Sequence, residues 1–186
     1  MKVTRVLTDC LIIEPDVYSD DRGFFIESWN QRAFNKLVGR DVSFVQDNHS
    51  SSAKNVLRGL HYQTRCPQAK LVRVVSGAVV DVAVDLRKHS PTFGQWYAER
   101  LTAENKKQFW IPEGFAHGFF VVSEGCDFLY KTTTFYDPES EESIRWDDPA
   151  LDIDWGQDSP TPFLSNKDAV AQLFVDAPLF KYGALR

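Results

Sequence analysis

The 186-residue chain carries 21 Lys and Arg against 26 Asp and Glu, a formal net charge of −5, and is 43% hydrophobic and 13% aromatic, with 14 Phe and 5 Trp. A chain of this size is usually one domain that buries roughly 70% of the surface its unfolded form exposes, so a disordered or low-complexity chain is excluded. Acidic residues spread along the whole length also argue against a general nucleic-acid or anionic-membrane surface, so an anionic ligand needs a local basic pocket.

The N-terminal run "MKVTRVLTDCLIIEPDVYSD" is broken at Thr8 and Asp9 and closed by Glu14 and Pro15, which leaves no signal-peptide core. No later stretch reaches the ~20 apolar residues of a membrane span, so a cytoplasmic, unanchored protein is expected. Cys10, Cys66 and Cys126 stand apart with no metal-binding spacing and read as free thiols of a reducing compartment.

From "CLIIEP" onward the chain is mostly short segments rich in Val, Ile, Phe, Trp and Tyr, punctuated by Gly, Pro, Asn or Asp. "GFFIESW" reads as a strand, and Ser28 to Gly39 as a helix with Trp29, Ala33, Phe34 and Leu37 on one side and Gly39 as its C-terminal cap. Strands are then expected at "SFVQDNHS", "VLRGLHYQ", "KLVRVVSG", "AVVDVAVDL", "GQWYAERLT", "KQFWIPEG", "AHGFFVVSE", "CDFLYKTTTFY" and "SIRWDDP", and a short helix capped by Ser165. "VVDVAVDL" alternates, placing Val80, Val82, Val84 and Leu86 on one face and Asp81, Ala83 and Asp85 on the other, the pattern of a half-buried antiparallel strand. Turn signals every 8 to 12 residues predict an all-β, antiparallel double-sheet barrel with small helical additions, as one domain over residues 1–186.

Four segments hold polar residues that a strand does not need. In "DDRGFFIES", Arg22 and Glu27 flank an apolar centre, which also fits a turn followed by a strand with exposed ends. In "FVQDNHSSS", Gln46 and Asn48 leave the same face, suiting either a sugar or base edge or simple solvation of an edge strand. In "NVLRGLHYQ", strict alternation sends Arg58 and His61 to opposite faces unless Gly59 marks a bulge. Taken alone, His61 reads as a satisfied core histidine sooner than as a catalyst, and periodicity does not settle the choice. In "WIPEGFAHGFFV", Pro112 and Gly114 make a turn and His117 opens the next strand.

The third and fourth segments, with "VRVVSGAV", resemble the two motifs of the cupin jelly roll, whose histidines normally bind a metal. Here Gln63 stands where a second ligand of the first motif is usual, and His49 and His89 lie in turn-like polar contexts, so a cupin barrel without its metal is expected. The ordered set "DDRGFFIESW", "FVQDNHS", "NVLRGLHYQ", "QAKLVRVVSGAVVDVAVDLRKHSPTFGQW", "ENKKQFWIPEGFAHGF", "FLYKTT", "WDDP" and "LSNKDA" resembles the dTDP-4-dehydrorhamnose 3,5-epimerase family over nearly the whole chain.

That resemblance implies a dTDP-4-keto-6-deoxy sugar substrate, no cofactor and no metal. It implies His61 as base, Tyr130 as acid on the opposite face, Lys70 near the enolate oxygen and Asp168 as the carboxylate that orients the base. Arg22, Arg58, Lys167 and also Arg73 are the cations available to a diphosphate. By the same resemblance Glu27, Gln46, Asn48 and Glu141 contact nucleotide or sugar, Tyr136 stacks on the thymine, and His117 contacts substrate. The family forms homodimers that share N-terminal strands, so Arg22 and Glu27 are expected to serve the partner's site. Phe135 replaces a Tyr frequent in the family, and Cys66 lies in a stretch of variable length. Other readings left open are a single-centre epimerase, a ketoisomerase of the same fold, and a noncatalytic nucleotide-sugar-binding cupin.

Overall fold

The computed structural model describes residues 1–156 and 161–184. Along the chain run β1 (Lys2–Val6), β2 (Cys10–Glu14), β3 (Tyr18–Asp20), β4 (Gly23–Phe25), α1 (Gln31–Val38), β5 (Gln46–Ala53), β6 (Leu57–Gln63), β7 (Lys70–Ser76) and β8 (Ala78–Asp85). There follow β9 (Arg87–Lys88), β10 (Trp96–Thr102), β11 (Gln108–Ile111), β12 (Phe115–Val121), β13 (Gly125–Thr132), β14 (Glu141–Ser143), α2 (Asn166–Ala169) and β15 (Phe180–Lys181). A six-stranded sheet in the order β1-β2-β11-β7-β13-β5 faces a five-stranded sheet in the order β10-β8-β12-β6-β14. All pairings within both are antiparallel, which is the expected jelly-roll barrel.

Three apolar layers hold it together. Between the sheets, Ile12, Val72, Val79, Leu101, Phe109, Phe119 and Phe128 form the central core. Leu57, Leu60, Val82, Val84 and Phe120 point out of the five-stranded sheet and are covered by the C-terminal segments through Ile144, Leu151 and Trp155. On the outer face of the other sheet, Phe34 of α1 packs with Leu11, Ile13, Leu71 and Trp110.

Helix α1 is shorter than expected because Asn30, not Ser28, caps it: its side chain accepts the Ala33 N–H at 3.0 Å. Gly39 closes the other end at φ +74°, a conformation that favours glycine. Trp29 stays outside the helix, with its ring 4.8 Å from both Phe34 and Phe44.

The reading of β8 as half-buried is corrected: both of its faces are covered, and Asp81 and Asp85 are fully buried. The alternation was real, but its polar face looks into the barrel, where each carboxylate has a basic partner, His117 for Asp81 and Arg87 for Asp85. "SIRWDDP" continues as a strand only through Ser143, because the Asp148 carboxylate accepts the N–H groups of Ala150, Leu151 and Phe174 and builds a turn. "GFFIESW" gives only the short β4, paired with β3 in a separate hairpin that leaves Phe24 and Phe25 exposed.

Candidate active site

A cavity of about 460 Å³ opens between the two sheets, lined by Arg58 and His61 from β6, Lys70 from β7, His117 from β12, Tyr130 from β13, and Lys167 and Asp168 from α2. Phe119 and Phe128, stacked with centroids 4.2 Å apart, form an apolar part of its wall. His61 and His117 come from the five-stranded sheet, and Lys70 and Tyr130 from the sheet that faces it.

One local device brings Arg58 and His61 together. Arg58 pairs with Phe119 and His61 with His117, so Gly59 and Leu60 stand opposite Gly118 alone. The extra residue cancels the alternation, and both side chains enter the cavity while Leu57 and Leu60 pack outward. Only glycines allow this approach: a Cβ on Gly59, at φ +128°, would lie 2.5 Å from the Gly118 Cα, and one on Gly118 would lie 2.8 Å from the Arg58 carbonyl oxygen. The bulge expected at Gly59 is therefore present.

Asp168 stands behind His61, with its Oδ1 2.6 Å from the imidazole Nε2. The carboxylate reaches that point because Ser165 starts α2, accepting the Asp168 N–H at 3.1 Å. Burial pushes the Asp168 carboxyl up, but the His61 hydrogen bond and charge, the Ser165 hydroxyl and Lys167 outweigh it and hold it below the usual range.

Glu141 joins two other expected residues: Lys167 Nζ, from the cavity lining, lies 2.6 Å from its Oε1, and the Tyr136 hydroxyl donates to its Oε2 at 2.7 Å. Burial favours the neutral Glu141 carboxyl, yet these bonds keep it below its ordinary pKa. Gln46 and Asn48 share a face of β5, and Gln46 Nε2 donates to Asn48 Oδ1 at 2.9 Å. Gln46 Oε1 also accepts the Tyr136 backbone N–H at 3.0 Å, tying that loop to the sheet. Arg58 Nε donates to Ser52 Oγ at 3.1 Å.

Burial, and then the Glu141 charge, raise the Tyr130 hydroxyl pKa, while Arg58 opposes them. Lys70 is lowered to about 8, chiefly by burial, against the pull of Asp81 and Glu141. His117 is buried and sits with Nε2 3.0 and 3.1 Å from the two oxygens of Asp81. Burial lowers its pKa despite that carboxylate, and burial likewise raises the carboxyl of Asp81.

Three expected residues lie elsewhere. Arg22 is exposed on the β3–β4 hairpin, paired with Asp20 at 2.6 Å. Glu27 lines a separate apolar pocket beside Trp29 and Phe34. Arg73 is not a cavity cation: it projects from the outer face of β7, beside Trp29, Leu129 and Lys131, because Val72 and Val74 take the inward positions. His49 faces Asp127 at 3.5 Å, and among the described residues no three His, Cys, Asp or Glu side chains gather as a metal-holding group. Sequence reasoning missed Asp81, for which the one available signal was an acidic residue inside a nearly continuous apolar run, and Phe163, which lines the rim while 70% exposed.

The family model described as dTDP-4-dehydrorhamnose 3,5-epimerase matches residues 4–176. A Pseudomonas aeruginosa protein of that name is 62% identical over 182 residues, covering 97% of this chain and 99% of its own. The crystal structure of a Legionella pneumophila dTDP-6-deoxy-D-glucose-3,5-epimerase in complex with dTDP-4-keto-L-rhamnose superposes with a TM-score of 0.95 at 51% identity, covering 98% of this chain and 99% of that one. A 3'-monoepimerase from Streptomyces bikiniensis, in complex with dTDP-quinovose, superposes with a TM-score of 0.85 at 33% identity, covering 91% of this chain and 85% of that one. The sequence motifs, the double-sheet barrel and the full-length likeness agree, and the chain belongs to the dTDP-4-dehydrorhamnose 3,5-epimerase family, an isomerase by class.

Proposed function

We propose that the protein inverts C3 and C5 of dTDP-4-dehydro-6-deoxy-D-glucose to give dTDP-4-dehydro-L-rhamnose, a step of nucleotide-rhamnose supply in the cytoplasm. The observation that carries this reading is the placement of His61, backed by Asp168, and Tyr130 on opposite walls of one cavity. The C4 ketone acidifies the protons on C3 and on C5. His61 removes one of them, the electron pair moves into an enolate at C4, and the Tyr130 hydroxyl returns a proton to the other face of the same carbon. Asp168 keeps the imidazole oriented and stabilises its protonated form. The Lys70 ammonium meets the charge that develops on the C4 oxygen. The residues present complete this proton chemistry without a cofactor, so added chelator is expected to leave turnover unchanged.

Arg58 and Lys167 suit the diphosphate, Tyr136 offers an exposed ring for the base, and His117 lines the same cavity, to which Glu141, Gln46 and Asn48 are linked through their bonds with Lys167, Tyr136 and one another. Arg22 and Glu27 are proposed to complete the site of a second copy in a homodimer, which the exposed Tyr18, Phe24 and Phe25 of their hairpin support. A noncatalytic binder has no use for an acid and a base held across a cavity. The likeness to a 3'-monoepimerase supports one second reading, inversion at a single centre.

One experiment separates these readings: incubation with the 4-keto-6-deoxyglucose nucleotide in deuterated water, followed by NMR at C3 and C5. Deuterium at both positions is expected. Deuterium at one position would replace the proposal with a single-centre epimerase, and none would overturn the catalytic reading.

A further inference from the structure

The cavity holds a second histidine–carboxylate pair that the mechanism above leaves unused. Asp81 has no exposed surface and is surrounded on its own face of β8 by Val79 and Ala83, where an apolar side chain would cost less than a carboxylate. Its two oxygens both lie within 3.1 Å of one atom, His117 Nε2. A carboxylate can only accept at that nitrogen, so Nε2 carries the proton and the Nδ1 of the neutral ring is left as an acceptor. His117 stands directly opposite His61 in the β12–β6 register, on the same cavity face.

We propose that Asp81 is a positioning residue of the epimerisation: it holds His117 in the tautomer with an unprotonated Nδ1, able to accept from a sugar hydroxyl. This rests on the epimerase reading given above.

Two measurements test this. In the ligand-free wild type, long-range proton–nitrogen NMR of His117 is expected to show a protonated Nε2 and a bare Nδ1 at neutral pH; the opposite tautomer, or an imidazolium, overturns the proposal without any variant. In Asp81→Ala, which removes the acceptor at Nε2, the preference for that tautomer is expected to be lost, and kcat drops roughly tenfold while KM changes less than about threefold. Asp81→Asn, whose amide oxygen can still accept from Nε2, retains more of both. An unchanged tautomer in a folded Asp81→Ala protein, or wild-type kcat with the tautomer lost, overturns the assignment. Wild-type exchange at C3 and C5 is measured alongside: its absence removes the epimerase reading, whereas its presence with an unchanged tautomer in Asp81→Ala removes only the role of Asp81.

Discussion

The two histidine–carboxylate pairs of the cavity have the same chemical composition and opposite electrostatics. In His61–Asp168 the imidazole is 26% exposed and the carboxylate is brought by a capped helical turn from 107 residues along the chain. In His117–Asp81 the partners are neighbours in one sheet and 7% and 0% exposed. Burial is the largest influence on both carboxylates, but short bonds and nearby cations outweigh it at Asp168, which is held low, and do not at Asp81, which is held high. A pair with a partly exposed imidazole is suited to take and release a proton; a pair sealed in the wall is suited to hold one arrangement.

Breaking both pairs at once gives the largest effect. Gly59→Ala places a Cβ against the Gly118 backbone and should shift the segment that carries Arg58 and His61, costing about 3 kcal/mol or more in chemical unfolding together with nearly all turnover. His61→Asn removes only the proposed base and is expected to lower kcat ~10² to 10⁴-fold in a protein that still unfolds cooperatively. Near-normal turnover would return His61 to a structural role. Asp168→Asn keeps a hydrogen-bonding group behind the imidazole but loses the charge, and a smaller drop in kcat, about 10²-fold, should follow.

Tyr130→Phe sharpens the contrast between the two walls. Proton loss from substrate, followed as solvent exchange, should survive better than inverted product, and equal loss of both would point to binding or folding instead. The smallest effect is thermodynamic. Because the folded Asp168 carboxyl is held low, its stabilisation is complete above the ordinary carboxylate pKa of about 4 and is lost as the pH falls through the lower folded value. The folded Asp81 carboxyl is held high, so its ionised form costs stability above the folded value and acidification relieves that cost. Denaturant midpoints measured from neutral pH down to about 3 should therefore flatten in Asp168→Asn and steepen in Asp81→Asn. The same slope in both variants would erase the distinction between the pairs.

Much of this was legible in the residues. Period-two apolar runs and regular turn signals specify strands, and their spacing specifies an antiparallel barrel, because each strand must bury one face on a shared core. Ser165 as a cap and Gly39 as a helix end were readable for the same local reason, since capping needs only the side chain and the next turn of backbone. Asp81 was not readable. Alternation shows that two faces differ, but not that the polar one looks into the barrel, and the distinction depends on His117, which lies 36 residues away. Arg73 failed in the mirror sense, because nothing local says which face of β7 lines a cavity.

The segment "NVLRGLHYQ" divides the same way. The amino-acid sequence by itself determined that a strand there carries an arginine, a histidine and a glycine between them, and that the glycine is the place where alternation can fail. Only the tertiary structure decided that it does fail: the backbone of β12 approaches at Gly118, closer than any Cβ permits, and so sets the register that turns Arg58 and His61 to one face. Local chemistry chose the residue that tolerates the approach, and the packing of a distant strand made the approach happen.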